Sequence, residues 1–257
     1  MSFAGKRVVV TAAGRGIARR AVERYVEAGA RVVASDVDAK ALERLKAEHP
    51  GVVTARADVS DEGEVNALFD VAARELGGLD ILVSAAGIGG AIGPAEDITL
   101  EAWHRCLGIN LDGAFLCARR AIPMLKAAGR GSIVNFSSMS GLYPNFHRAP
   151  YCAAKFAVIG LTKVLAMELG PHRINVNAVC PGPVEGERMD EIVAAEGKAR
   201  GKAADQMRAE YAKASSMRSF VSADDIVNMV LFVTSEAGRH VSGQALAIDG
   251  HTESFAG

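Results

Sequence analysis

The stretch Val8-Val9-Val10-Thr11-Ala12-Ala13-Gly14-Arg15-Gly16-Ile17-Ala18 decides how this chain folds. Three consecutive valines suit a strand covered on both faces, because β-branched side chains fit a pleated surface and no polar residue alternates with them. The glycines that follow mark a tight turn, and a helical pattern runs from about Gly16 to Ala28. A second apolar run, Val32-Val33-Ala34-Ser35, ends in Asp36. Strand, turn, helix and strand in so short a span make a βαβ unit, whose strands lie parallel.

That unit predicts where a ligand binds. Glycines at a strand-to-helix turn let the backbone approach a pyrophosphate, and the helix N-terminus stabilises its charge. Ala13, Arg15, Gly16 and Ile17 are therefore candidate cofactor contacts. Asp36, at the end of the second strand, can accept hydrogen bonds from an adenosine ribose and would repel a 2′-phosphate, which points to NAD over NADP. Arg15 argues the other way, since a loop arginine can pair with that phosphate. Asp58 and Val59, after the third strand, are candidates beside the adenine; for Asp58 the alternative is a cap on the next helix.

Working outward, the alternation continues. Apolar runs at 52–54, 80–84, 131–136, 174–179 and 245–248 are separated by helical patterns at 39–48, 62–76, 100–127, 150–169 and 223–234. This rhythm predicts an α/β fold over 1–257, with a parallel sheet between helices. One stretch, about 184–216, has no strand and is dense in charge. Its apolar residues Met189, Ile192, Val193, Met207 and Tyr211 have helical spacing, so it reads as two short amphipathic helices. Following a strand's carboxyl end, it is expected to be a substrate lid; the alternative is a solvated surface excursion.

Composition narrows the class. With 257 residues, 49% hydrophobic, 23% charged and a net charge of −1, the chain offers no basic surface for nucleic acid. No apolar run reaches the roughly 20 residues that span a bilayer, and no signal-peptide pattern opens the chain. A cytoplasmic protein without membrane contact is expected. Cys106, Cys117, Cys152 and Cys180 form no CxxC pair and read as reduced packing residues, with no metal site expected.

The chemistry is carried by Pro150-Tyr151-Cys152-Ala153-Ala154-Lys155. Residues four apart on a helix share a face, so a phenol and an ammonium would project side by side. The ammonium favours phenolate over phenol, which a tyrosine needs to exchange a proton with an alcohol near neutral pH. Ser138 ends a strand upstream. The residues between it and Tyr151 should line a substrate pocket, with Ser140, Tyr143, His147 and Arg148 as contacts and Arg188 reaching in from the lid. Arg148 suggests a carboxylate, sulfonate or phosphate on the substrate. For Arg148 and His147 the alternative is a surface position at a helix start.

In this order the motifs resemble the short-chain dehydrogenase/reductase family over the whole chain. The family's T-G-x-x-x-G-x-G aligns with Thr11–Ala18, its N-N-A-G with Ser84-Ala85-Ala86-Gly87, and its helical asparagine with Asn110. Its serine strand, Y-x-x-x-K pair and P-G turn align with Ser138, Tyr151 and Lys155, and Pro181-Gly182. The resemblance implies a Rossmann-type, doubly wound sheet of about seven parallel strands in three αβα layers. It also implies a homotetramer, and hydride transfer between a nicotinamide and a secondary alcohol or its ketone. By position, Tyr151 would be the general acid/base, Lys155 would assist it and hold the nicotinamide ribose, and Ser138 would orient the substrate oxygen. Asn110 would support a proton-relaying water chain. Ala86, Gly87, Pro181, Gly182 and Val184 would join the cofactor contacts, as would Tyr151 itself beside Lys155.

The chain also departs from the family pattern. Ala12 and Ala18 replace glycines, Ser84 and Ala85 replace asparagines, and Gly186 stands where a threonine is usual. The expected function is an NAD-dependent oxidoreductase acting on a small molecule, anionic or polyhydroxylated. The alternatives are an NADP-dependent 3-oxoacyl-thioester reductase, opposed by Asp36, and a non-catalytic dinucleotide sensor, which would leave the Ser-Tyr-Lys-Asn set unexplained.

Overall fold

Val8 and Val10 turn to one side of the sheet and Val9 to the other, because successive side chains on a strand alternate. Each side meets its own apolar core, which is why no polar residue interrupts the strand. The fold is a computed structural model that describes residues 1–252. Its strands are β1 (Arg7–Val10), β2 (Arg31–Asp36), β3 (Val53–Arg56), β4 (Ile81–Ser84), β5 (Gly131–Phe136), β6 (Ile174–Pro181) and β7 (Ala245–Ile248). Among the described residues they form one parallel sheet in the order β3-β2-β1-β4-β5-β6-β7. The doubly wound architecture follows, and strand order reverses between β1 and β4.

Helices α1 (Gly16–Glu27), α2 (Ala39–Glu48) and α9 (Ala223–Thr234) pack on one face. Helices α3 (Glu62–Leu76), α5 (Gly113–Ala127) and α6 (Ala149–Leu169) cover the other. Side chains fix several helix starts: Asp38, Asp61 and Thr99 each accept a backbone N–H three residues on. Among the described residues no helix is long and apolar enough to cross a membrane.

Two features break the regular pattern. The helical run expected over 100–127 is α4 (Leu100–Leu107) and α5 joined by a π-helical turn, Gly108–Asp112, in which the Gly113 N–H reaches back to the Gly108 carbonyl. Such wide turns occur frequently at functional positions. The second feature is the charged stretch after β6, which folds as α7 (Glu187–Arg200) and α8 (Ala204–Lys213). Met189, Val193 and Met207 bury themselves between these helices in a cluster separate from both sheet cores.

Candidate active site

The crevice opens where strand order reverses, at the carboxyl ends of β1 and β4. Thr11 closes its floor: the Thr11 hydroxyl oxygen accepts the N–H groups of Ala85 at 3.0 Å and Ala86 at 3.3 Å. This bond links the ends of the two strands even though Ser84 and Ala85 replace the family's asparagines. Beside it, Ala13 is buried and donates its N–H to the Ser35 carbonyl. Gly14 lies against Asp36, where a Cβ would come within 2.9 Å of the carboxylate and of the Ala41 methyl. Asp36 accepts the Gly14 N–H at 2.8 Å and the Asp38 N–H at 2.9 Å, so its carboxylate is fixed beside the turn. Gly16 has φ +62 and opens α1, whose N-terminus no side chain caps, while Ile17 packs toward the core. Uncapped N–H groups beside a backbone cradle suit a pyrophosphate.

Ala12 adopts φ +55 in this turn. A Cβ in the left-handed region costs roughly 1–2 kcal/mol, partly offset by glycine's greater loss of chain entropy. Ala12→Gly is therefore expected to stabilise the protein by about 1 kcal/mol, a rise of about 2–4 °C in Tm. Calorimetry checks this, and an unchanged or lower Tm would contradict it. Ala18 carries no such strain; its methyl group is buried in the core.

The other cofactor candidates lie around the same end of the sheet. Asp58 accepts the Ser60 N–H and hydroxyl, which together hold its carboxyl below the usual range. It does not cap α3, a task that falls to Asp61. Val59 is buried against Gly113, where a Cβ would meet its side chain at 2.6 Å. Arg15 is exposed and leans toward Glu191 at 3.4 Å. Pro181 and Gly182 end β6, and a Cβ on Gly182 would collide with the Asp249 backbone. Val184 bridges to Val221.

Gly87 is where the catalytic candidates converge. A Cβ there would stand 2.6 Å from Asn110 Oδ1 and 3.2 Å from Lys155 Nζ. Asn110 lies on the π-helical turn, and its amide nitrogen donates to the carbonyls of Cys106 at 2.9 Å and Ile88 at 3.0 Å. Its buried Oδ1 has no partner among the described residues. Lys155 is buried, and its ammonium donates to the Phe136 carbonyl at 2.7 Å. Ser137 returns the link from β5 to α6, its hydroxyl donating to the Lys155 carbonyl at 2.8 Å. Ser138 follows at once, with its oxygen accepting the Ser140 N–H at 3.1 Å. Tyr151 sits in the first turn of α6, its ring centre 5.7 Å from Lys155 Nζ.

Burial, and then the charge of Arg188, push Lys155 down from 10.5 to about 7. The native state thus holds fewer protons than the unfolded chain between these values. The penalty for burying the ammonium is complete below about pH 7 and is relieved as pH rises toward 10.5. Relative to wild type, the stability of Lys155→Met is expected to fall as pH climbs from 7 to 10. Denaturant titrations across that range test this, and a constant difference would contradict it.

On the substrate side the candidates separate. Ser140 is buried, whereas Tyr143 is exposed. His147 has φ +60 and its ring stacks on Phe146 at 3.8 Å. Arg148, expected to meet a substrate oxyanion, is 4% exposed and donates to Glu196 at 2.7 Å and to the Gly89 carbonyl at 3.2 Å. Its charge is neutralised inside the protein, so that expectation is not met. Arg188, in the first turn of α7, is exposed and close enough to Lys155 for its charge to be felt.

A family model described as enoyl-(acyl carrier protein) reductase matches residues 11–251. Relatives at 35% identity span nearly the whole length. The chain is a short-chain dehydrogenase/reductase. One such relative is the D-threitol dehydrogenase of Mycolicibacterium smegmatis, 35% identical over 96% of this chain and 92% of the relative. Another is the cis-4-hydroxycyclohexanecarboxylate dehydrogenase of Sinomonas cyclohexanicum, 35% identical over 97% of each. A solved structure of NAD+-bound xylitol dehydrogenase superposes with a TM-score of 0.92 at 28% identity, covering 97% of this chain and all of that one. As a short-chain dehydrogenase/reductase, the protein is an NAD(P)-dependent alcohol dehydrogenase or ketone reductase.

Three participants escape sequence reasoning in this dehydrogenase/reductase. The π-helical turn leaves no residue signature in Gly108–Asp112. Thr11 is visible as a motif position but not as the acceptor for β4. Glu196 is hidden within a run of charges, and only its place on the buried side of α7, three residues past Val193, could have singled it out.

Proposed function

We propose that this enzyme uses NAD to oxidise a secondary alcohol on a small polyol or hydroxy acid, with Tyr151 as the general acid/base. The observation that carries the NAD reading is Asp36, fixed at the mouth of the glycine turn by the Gly14 N–H at 2.8 Å. A carboxylate there accepts from ribose hydroxyls and repels a 2′-phosphate. Arg15, which would favour that phosphate, leans toward Glu191 instead.

The residues fit a dinucleotide: an uncapped helix N-terminus faces the turn, and at Gly87 a side chain would fill the space beside Lys155 and Asn110. When bound, the nicotinamide supplies the hydride acceptor. Tyr151 takes the hydroxyl proton of the alcohol. Ser138 already accepts the Ser140 N–H, so its own hydrogen is free to bond the substrate oxygen. Lys155 lies 5.7 Å from the tyrosine ring centre, with its ammonium anchored on the Phe136 carbonyl. The unpartnered Oδ1 of Asn110 lies beside that ammonium and can accept from a water carrying the proton outward.

For the substrate, Arg188 replaces Arg148 as the cation open to a carboxylate. A hydroxy acid is therefore expected to bind partly through Arg188, as the name of the Sinomonas relative also suggests. NADH formation over a panel of polyols and hydroxy acids tests the whole reading. Arg188→Ala should raise KM for acids by about tenfold, equivalent to about 1.4 kcal/mol, and leave neutral polyols unchanged. Equal effects on both classes would remove the anion-binding role, and binding of NAD with no turnover would favour a sensor.

A further inference from the structure

Helix α7 carries a carboxylate on its apolar side. Met189 and Val193 bury toward Met207, flanked by Ile192, Tyr211 and Phe220, and Glu196 continues that side at 6% exposure. Burying a carboxylate is costly unless it is paired and hydrogen-bonded. Here both oxygens are satisfied: Arg148 donates to Oε1 at 2.7 Å and the Tyr211 hydroxyl to Oε2 at 2.8 Å. The Arg148 guanidinium also bonds the Gly89 carbonyl at 3.2 Å and lies 4.9 Å from the centre of the Tyr151 ring. One buried cation thus joins the α7–α8 pair, the loop after β4 and the first turn of the helix that carries Tyr151.

We propose that Arg148, Glu196 and Tyr211 form a clasp that holds α7 and α8 closed over the cleft, with Arg148 and Glu196 positioning the Tyr151 ring. The apolar cluster of α7 and α8 draws in Phe220 from the segment after α8 but stays separate from both sheet cores, so it does not by itself fasten the pair to the sheet. An exposed ion pair would fasten little, but this one is 5% and 7% exposed. Removing one member leaves the other charge buried and unpaired. The direct way for Arg148 to regain water is for α7 to lift away.

The clasp rests on the reading of Tyr151 as acid/base, but its principal test needs neither substrate nor cofactor. Hydrogen exchange is compared between wild type and Glu196→Gln on the full chain. Exchange over 187–213 is expected to accelerate by about tenfold or more, while β4, β5 and β6 keep their protection. KM for the alcohol should rise by about tenfold, with kcat falling less. The double variant Arg148→Met/Glu196→Leu removes both charges and should bring exchange back to within about threefold of wild type. Unchanged exchange over 187–213 in Glu196→Gln overturns the clasp, as does acceleration spread evenly through the sheet. If Glu196→Gln does not fold, Tyr211→Phe keeps the ion pair and should still accelerate exchange in the same segment, by about threefold; no acceleration there also overturns it. Loss of turnover in wild type would defeat the proposed reaction and leave the exchange result standing.

Discussion

Tyr151→Phe is expected to lower kcat by about 10²- to 10⁴-fold, the range that a positioned acid/base contributes. The substitution deletes one oxygen and leaves the ring where it is, between the Arg148 guanidinium at 4.9 Å and the Lys155 ammonium at 5.7 Å. Those contacts involve the face of the ring, not its hydroxyl, so folding and NAD affinity should survive. Steady-state rates together with a fluorescence titration of NAD separate the two effects. A variant that keeps more than about a tenth of the wild-type kcat would show that another group moves the proton. A variant that loses NAD binding along with its rate would make the hydroxyl a cofactor contact first.

The second large effect is expected at Asp36. Asp36→Ala removes the acceptor for two backbone N–H groups, those of Gly14 and Asp38, as well as the charge offered to the ribose. Hydrogen bonds to a charged group contribute about 1.5–3 kcal/mol each, so KM for NAD should rise by about 10- to 100-fold. NADP should gain in the same variant, because the repulsion of its 2′-phosphate is gone. Together these changes should move the NAD-to-NADP ratio of kcat/KM by about 100-fold or more. If KM for NAD rises and NADP does not gain, Asp36 shapes the turn without reading the ribose. If neither changes, the adenosine end lies elsewhere.

The fold was legible because its strands could be nothing else. Val8-Val9-Val10 and Val32-Val33-Ala34 lack polar alternation, and a strand of that kind needs cover on both faces, which is what the two cores supply. Tyr151, Lys155 and Asn110 were legible as motif positions, and the structure brings Lys155 and Asn110 to one point at Gly87. Arg148 shows the limit. Its place three residues before the tyrosine suggested a substrate contact, yet its partner, Glu196, is 48 residues away on a helix whose packing against the body no local pattern announces. Charge is read from sequence as solvated or ligand-directed; that two charges bury each other is decided by tertiary packing. The Ala12 strain was conditional on a backbone angle, and φ +55 supplies the condition.

The wide turn at Gly108–Asp112 has a consequence for chain length rather than residue identity. It holds one residue more than an α-helical turn would, and absorbs that residue locally, so that α4 and α5 keep the angular relation of one helix. Deleting any single residue within it would let the helix close up into regular α geometry with its flanks nearly unmoved, so the loss would fall on the widened turn itself. Asn110 would then lose either its hold on Cys106 and Ile88 or its place beside Lys155. Substitutions that leave every motif intact cannot reveal this constraint. A homologue one residue shorter between Leu100 and Ala127 would have to build its proton path some other way.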